Sequence, residues 1–440
     1  MRINKLRLKN FKSFDDKEYI FKTQFTVFIG NNSTGKTSIL NALSIVTGSF
    51  FLGIEDVPSR TIQENEIRII TIDGQPRPQK PVGVQGWWEF TAEDRSIWGF
   101  PDSQKYLVWS REVITKNTTT GSAKPIKEFA EKLLSQSRQK SGVLFPVIAF
   151  YGTGRLWAIH EKLNYLEQGE GVKMAYTNAL SAKASPKEFL EWFKTLEDTV
   201  KKFEQPLDIA HLNAFKKIIT SLIPDDRWQD VAFDNRENEL VGIFTTEEGK
   251  KEKLSFGQLS DGFRNMVAIG GDLAYRCIQL NPHLGENAII NTPGVVLIDE
   301  IDMHLHPNWQ SRVVQDLKTA FPKIQFIATT HSPFIVHSLK EEELIILDSD
   351  ITKDGDPFKK SMEDVIANEM GVVEVPRSKE FLEMEKVAEE YFKLVASGKT
   401  SEDDQRTSQL RARLNELEIK FADDPAFVAS LKIERQANGL

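Results

Sequence analysis

GNNSTGKTS, running from Gly30 to Ser38, follows the pattern G-x-x-x-x-G-K-[ST], with Gly30, Gly35, Lys36 and Thr37 at its four fixed positions. The apolar FTVFI before it (Phe25 to Ile29) has the length of a short buried strand. SILNALSIVTG after it places Leu40, Leu43 and Val46 on one helical face. Strand, loop and helix together describe a phosphate-binding loop. The two glycines let backbone N–H groups turn inward around the phosphates of ATP, and Lys36 reaches the terminal ones. The Thr37 hydroxyl sits on Mg²⁺, and the helix N-terminus favours the anion. Asn31, Asn32, Ser33, Thr34 and Ser38 complete the expected cradle. The plain alternative is a glycine-rich turn, and the flanking strand and helix weigh against it.

The whole chain sets wider limits. Its 440 residues, 40% of them hydrophobic, suffice for one large domain with additions or for two domains. No run approaches the length of a membrane span, and MRINKLRLKNF alternates charged and apolar residues instead of opening a signal peptide; a cytoplasmic protein with no membrane partner is expected. The one cysteine, Cys277, excludes an intramolecular disulfide framework and a metal-thiolate site, and its apolar surroundings suggest a buried thiol. A net charge of −8, from 56 basic and 64 acidic residues, gives no global field toward nucleic acid.

Outward from the loop, residues 1 to 24 read as a hairpin with Ile3, Leu6 and Leu8 inward. IRIITID, VQGWWEF, SIWGF and KYLVWSREVI, between residues 60 and 115, read as strands of an antiparallel sheet over the nucleotide lobe. Trp87, Trp88, Trp98 and Trp109 then belong to its core rather than to a base-stacking platform. VLFPVIAFYG is a buried strand at whose end Tyr151, Thr153 and Arg155 are candidates to reach the nucleotide or a partner protomer. From about 156 to 230 the pattern is helical, with a Ser185 cap, Pro186, and a stripe of Phe189, Trp192, Phe193 and Leu196. It forms an insertion too short for a coiled-coil arm.

Two strands, DVAFD and ELVGIFTT, lead to LSDGF (Leu259 to Phe263), where Ser260 and Gly262 at a helix N-terminus suit a γ-phosphate; the same residues also make an ordinary helix start. In GVVLIDEIDMHLHP a buried strand, Val295 to Ile298, delivers Asp299 to hold Mg²⁺ and Glu300 to polarise the attacking water. IQFIATTHSP is another apolar strand, followed by His331 in reach of the γ-phosphate region. His304 and His306 shape the loop after Glu300 better than they would ligate a metal. ELIILDSD is the expected last strand of the sheet.

In this order the phosphate loop, LSDGF, LIDEID and TTHSP resemble the ABC-type ATPase heads of SMC, RecF and the overcoming-lysogenization-defect nucleases, over residues 1 to about 350. LSDGFRNMVAIGGDLAYRCIQLNP, GVVLIDEIDMHLHPNWQ, FPKIQFIATTHSPFIV, YGTGR and FLEWFKTLED are similar to the PtuA subfamily, the ATPases of bacterial Septu and retron antiphage systems. The resemblance implies an α/β fold, an ABC-type head in which a P-loop NTPase sheet carries an antiparallel β lobe, a helical insertion at about 156–230 and a helical C-terminal region. It implies Mg²⁺ and ATP as cofactors, with Glu300 and His331 catalytic and with Ser260 and Gly262 addressing the opposite protomer's nucleotide. It also implies a head-to-head dimer or higher oligomer and a separate PtuB-like HNH nuclease as partner. It leaves open nucleic acid or a reverse transcriptase complex as further partners.

Two departures stand out. Phe263 occupies the place of the glutamine in transporter-type sequences, and Asp261 replaces the first glycine of their pair, which points to slow hydrolysis or a switch. Gln85 is a poor match to the usual Mg²⁺-reading glutamine. Residues 351–440 lack the strand-and-carboxylate set of a Toprim nuclease. They carry amphipathic helices instead, striped by Val387, Tyr391 and Leu394 and by Leu410, Leu414, Leu417 and Phe421, with a cap at Asp424. These stripes either pack on the head or dock a partner. Two other readings compete: a RecF- or SMC-like DNA repair ATPase, and a nucleotide-binding regulatory module with negligible hydrolysis.

Overall fold

The structure, a computed structural model, describes residues 2–139, 142–154, 171–181, 187–223, 225, 227–351, 353, 355–372, 379–397 and 404–420. The chain divides into two compact units, Met1–Gly371 and Val372–Leu440.

In the first unit β1 (Arg2–Phe11) and β2 (Phe14–Ile20) form the expected hairpin. Ile3, Leu6 and Leu8 are fully buried. A bulge between Ile3 and Lys5 explains how residues three apart share one face of a strand whose period is two. β3 (Phe25–Ile29) is buried throughout and runs into the phosphate loop and the helix Lys36–Gly48.

Next come β4 (Ile69–Ile72) and β5 (Gln75–Pro78), a mostly exposed hairpin separate from the main sheets. β6 (Val82–Glu89) and β7 (Tyr106–Val113) join the first hairpin in a sheet of order β2-β1-β6-β7. SIWGF, expected as a strand of this sheet, instead ends a helix, Ala92–Trp98. Thr91 and Asp94 cap it reciprocally and Gly99 stops it in the left-handed conformation, φ 63°. Trp88, Trp98 and Trp109 lie in the core, while Trp87 sits half-buried under the Lys5 ammonium, 4.2 Å from the ring centroid. Trp109 donates its indole N–H to the Val46 carbonyl at 2.9 Å, which fixes this sheet over the phosphate-loop helix.

β8 (Val147–Tyr151) enters the second sheet. The insertion follows as two long helices, Lys187–Phe203 and Pro206–Leu222. They meet through Phe193 and Phe215, stacked with centroids 4.9 Å apart. Ser185 and Pro186 lie outside the described residues. β9 (Trp228–Asp234), β10 (Glu239–Thr245) and β11 (Lys251–Ser255) make a three-stranded antiparallel sheet; β11 has no counterpart in the strands expected from the sequence. The helix Asp261–Leu280 leads to β12 (Gly294–Ile298), β13 (Ile324–Thr329) and β14 (Leu344–Ile346).

The second sheet has the order β14-β3-β13-β12-β8 and all its neighbours are parallel. β3, β8, β12 and β13 are buried at every position, as a sheet covered on both faces requires. Their C-terminal ends lie along one edge, where open parallel sheets place ligands. Gln325 of β13, 1% exposed, accepts from the Ile3 N–H at 2.8 Å and donates to the Ile3 carbonyl at 3.0 Å, so one buried amide ties the antiparallel sheet to the parallel one.

The second unit is a helical hairpin of Lys379–Ala396 and Gln405–Lys420. Met384, Ala388, Tyr391 and Phe392 pack against Leu410, Leu414 and Leu417 in a core of their own, with Val387 and Leu394 at its margin. The two stripes therefore cover each other, which the sequence expectation of packing on the head or on a partner did not foresee. Phe421 and Asp424 lie outside the described residues.

Candidate active site

Three adjacent strands each deliver chemistry at their C-terminal ends. β3 leads into Gly30–Gly35, where Gly35 has φ 102°; a Cβ there would also come within 2.5 Å of the Phe14 ring, so only glycine fits. Asn31, Asn32, Ser33 and Thr37 are exposed, Thr34 and Ser38 half-buried. The Thr34 hydroxyl turns back to the Asn31 carbonyl at 2.9 Å, closing the loop locally.

Lys36 is 8% exposed, and its ammonium donates to the carbonyls of Gly30 at 2.7 Å and Asn31 at 3.0 Å. Its cation is thus held inside the ring of the loop. Burial lowers the Lys36 pKa, against the opposing pull of Asp348, Asp299 and Glu300.

The next residue, Thr37, donates its hydroxyl to Asp299 Oδ1 at 3.3 Å. Asp299, 4% exposed, follows β12 directly. Thr329 at the end of β13 donates to the same Oδ1 at 2.6 Å. The Thr329 oxygen in turn accepts the Glu300 N–H at 2.8 Å. Glu300 is half-buried with φ 48°, a left-handed conformation costly for a side chain of this kind and held here by the surrounding strands.

His331 is exposed just beyond β13. Asp302 joins its loop to the one after β12, accepting from the Thr330 hydroxyl at 2.5 Å and the His331 N–H at 3.4 Å. The structure therefore brings Lys36, Thr37, Asp299 and Glu300 together and sets His331 on the neighbouring loop.

Ser260 and Gly262 lie on the helix that packs against the loop after Glu300. Ser260 is the exposed N-cap of the helix Asp261–Leu280, and Gly262 is buried with its Cα against the loop after Glu300; a Cβ would lie 2.7 Å from the His304 carbonyl oxygen. Asn265 donates to the Met303 carbonyl at 2.9 Å. The LSDGF segment is thus fastened to the carboxylate loop of its own chain. Phe263 packs edge-on against Trp309, centroids 4.2 Å apart, and near Trp228 at 5.8 Å, so its ring serves packing where a glutamine would not. His306 caps the short helix Pro307–Gln310, its Nδ1 accepting the Asn308 N–H at 3.3 Å.

Tyr151 does not face the nucleotide edge. Its ring is buried, and its hydroxyl donates to Asp272 Oδ2 at 2.7 Å, which also accepts from Arg276 Nε at 2.8 Å. Burial and the Asp272 charge hold the phenol well above its usual pKa. Thr153 is exposed and Arg155 lies outside the described residues.

Sequence reasoning missed two contributors, Thr329 and Asp348. Asp348 follows β14 and accepts from the Asn31 N–H at 2.9 Å and from Asn31 Nδ2 at 3.2 Å. Both follow from one signal: polar residues at the ends of parallel strands line the ligand edge.

The residues fit ATP and Mg²⁺. The loop amides and Lys36 suit phosphate oxygens. The Thr37 hydroxyl and the Asp299 carboxylate, 3.3 Å apart, are hard oxygen donors of the kind Mg²⁺ takes.

Residues 5–254 match a family model described as an AAA domain, and residues 178–337 match one described as an AAA domain, putative AbiEii toxin, Type IV TA system. The Retron Vc95 probable ATPase of Vibrio cholerae serotype O1 biovar El Tor is 27% identical, over 82% of this chain and 79% of that protein. The Retron Ec83 probable ATPase of Escherichia coli is 25% identical over 99% of this chain and 86% of that protein. The Septu protein PtuA of Bacillus mycoides (strain KBAB4) is 27% identical over 78% of this chain and 40% of that protein.

Proposed function

The chain belongs to the AAA-domain family and is an ATPase; we propose that it is the Mg²⁺-ATP-binding subunit of a bacterial antiphage defence complex, governing a separate HNH nuclease through nucleotide-dependent dimerisation of its heads. The observation that carries the nucleotide chemistry is the hydrogen-bonded chain that runs from Thr37 to Asp299, on to the Thr329 hydroxyl and from there to the Glu300 N–H. The names of the retron and Septu relatives support the biological setting.

In this reading the loop amides and Lys36 bind the β- and γ-phosphates, and Thr37 with Asp299 would hold Mg²⁺. Bound Mg²⁺ supplies charge neutralisation at the phosphate oxygens. Glu300 orients a water and takes its proton as that oxygen attacks the γ-phosphorus, and the bond to the β-phosphate oxygen breaks. His331 hydrogen-bonds the γ-phosphate. Ser260 and Gly262 address the nucleotide of a second protomer. The C-terminal unit, whose apolar stripes cover each other, would meet the nuclease with its polar outer face.

The test is phosphate release from Mg²⁺-ATP by the wild type and by Glu300→Gln. Release by the wild type alone, with ATP still bound by the variant, is expected, because the amide keeps the size but cannot act as base. Binding without release above the variant's level would make ATP a conformational ligand instead. Co-purification with a co-expressed HNH nuclease tests the partner.

A further inference from the structure

The edge strand β14 ends on the phosphate loop. Leu347 N–H donates to the Ile29 carbonyl at 3.0 Å, continuing the β14–β3 pairing by one residue, and the next side chain is Asp348. Its carboxylate accepts from Asn31 twice, at 2.9 Å from the backbone N–H and 3.2 Å from the side-chain amide. A Cβ on Gly30 would stand 3.1 Å from Asp348 Oδ2, so the carboxylate lies directly against the first turn of the loop. Lys36, the cation of the same loop, donates to the carbonyls of Gly30 and of Asn31, the residue that Asp348 holds.

An anion beside a loop that binds anions is the unexpected part. Its two bonds to Asn31 favour the loop's shape, while its charge competes with phosphate for Lys36. We propose that Asp348 is a positioning residue of the phosphate loop that also acts as an electrostatic brake on ATP affinity, keeping nucleotide exchange fast. This rests on the ATP-binding reading above. Position and charge are separable in part, because asparagine retains an acceptor for the Asn31 N–H while losing the charge and the second acceptor that faces the Asn31 side-chain amide, whereas alanine loses the charge and both acceptors.

The experiment is calorimetric titration of the full chain, wild type, Asp348→Asn and Asp348→Ala, with ATP and ADP at low and high salt. Asp348→Asn should bind ATP roughly three- to tenfold more tightly at low salt. The gain should be smaller for ADP, which lacks one charged phosphate, and should shrink at high salt. Asp348→Ala should bind more weakly than Asp348→Asn and show faster hydrogen exchange at the Asn31 amide. ATP affinity of Asp348→Asn equal to or below the wild type overturns the brake, as does a gain that ignores salt and is the same for ADP. Should Asp348→Asn fail to fold, the salt dependence of ATP affinity in Asp348→Ala decides: a slope equal to the wild type's overturns the brake. Failure of the wild type to bind ATP would sink the nucleotide reading itself, a different outcome from unaltered binding by the variants.

Discussion

Thr329 Oγ1 lies 2.6 Å from Asp299 Oδ1, joining two neighbouring strands at the point where both deliver their site residues. The same oxygen accepts the Glu300 N–H, so one hydroxyl orients the proposed metal ligand and fixes the backbone of the proposed base. Thr329 is fully buried, and its branched side chain suits the strand. Thr329→Val keeps that shape and removes both bonds at once. A loss of about 1–3 kcal/mol in stability is expected, with a larger proportional loss of ATP turnover. Thr329→Ser should restore much of both. Wild-type turnover in the valine variant would remove the hydroxyl from the mechanism.

Lys36→Ala should abolish tight ATP binding. The side chain is the cation inside the loop ring, and hydrogen bonds to charged groups are worth about 1.5–3 kcal/mol each, so roughly a ten- to hundredfold weaker affinity follows. Calorimetry reads it directly, and unchanged affinity would exclude this lysine from phosphate binding.

Ser260 caps a helix fastened to the carboxylate loop of its own chain, and its proposed role is in trans. Ser260→Arg alone should bind ATP yet fail to associate on ATP addition in sedimentation. Mixed with Lys36→Ala it should recover one working site per heterodimer. Full ATP-driven association of the Ser260→Arg homodimer would make LSDGF an ordinary helix start.

Cys277 is fully buried within the helix Asp261–Leu280, and burial pushes its thiol pKa up, so it holds little thiolate at neutral pH. A thiol reagent should leave the native chain unlabelled and count one thiol per chain after denaturation. Rapid labelling of native protein would show that this helix opens locally.

Much of the site was readable because its parts obey short-range rules. Gly30 to Thr37 has a spacing that only a strand, loop and helix satisfy, and VVLI before Asp299 and IQFIAT before Thr329 are apolar runs of strand length. What escaped depends on distant partners. Tyr151 stands at a strand end like the site residues, yet Asp272, far along the chain, draws its hydroxyl into the core. Thr329 opens TTHSP, where the histidine drew attention, and Asp348 belongs to no spaced motif; both gain their roles from strand order. SIWGF has strand-like aromatics, but the Thr91–Asp94 cap, two local hydrogen bonds, settles it as helix. KEKLS in β11 lacks apolar alternation because most of it faces water. The C-terminal stripes announced an apolar face without saying which helix would cover it.

The position of β3 between β14 and β13 has a consequence for the ribosome. Phe28 pairs with Thr329, 301 residues later (329 − 28), and β14 comes later still. At about 5–20 residues per second, a nascent chain carries FTVFI without either neighbour for roughly 15–60 s. ATP cannot find a complete site in that interval, since Thr329 is not yet made. A chaperone that shields apolar strands would suit this interval of the chain's synthesis.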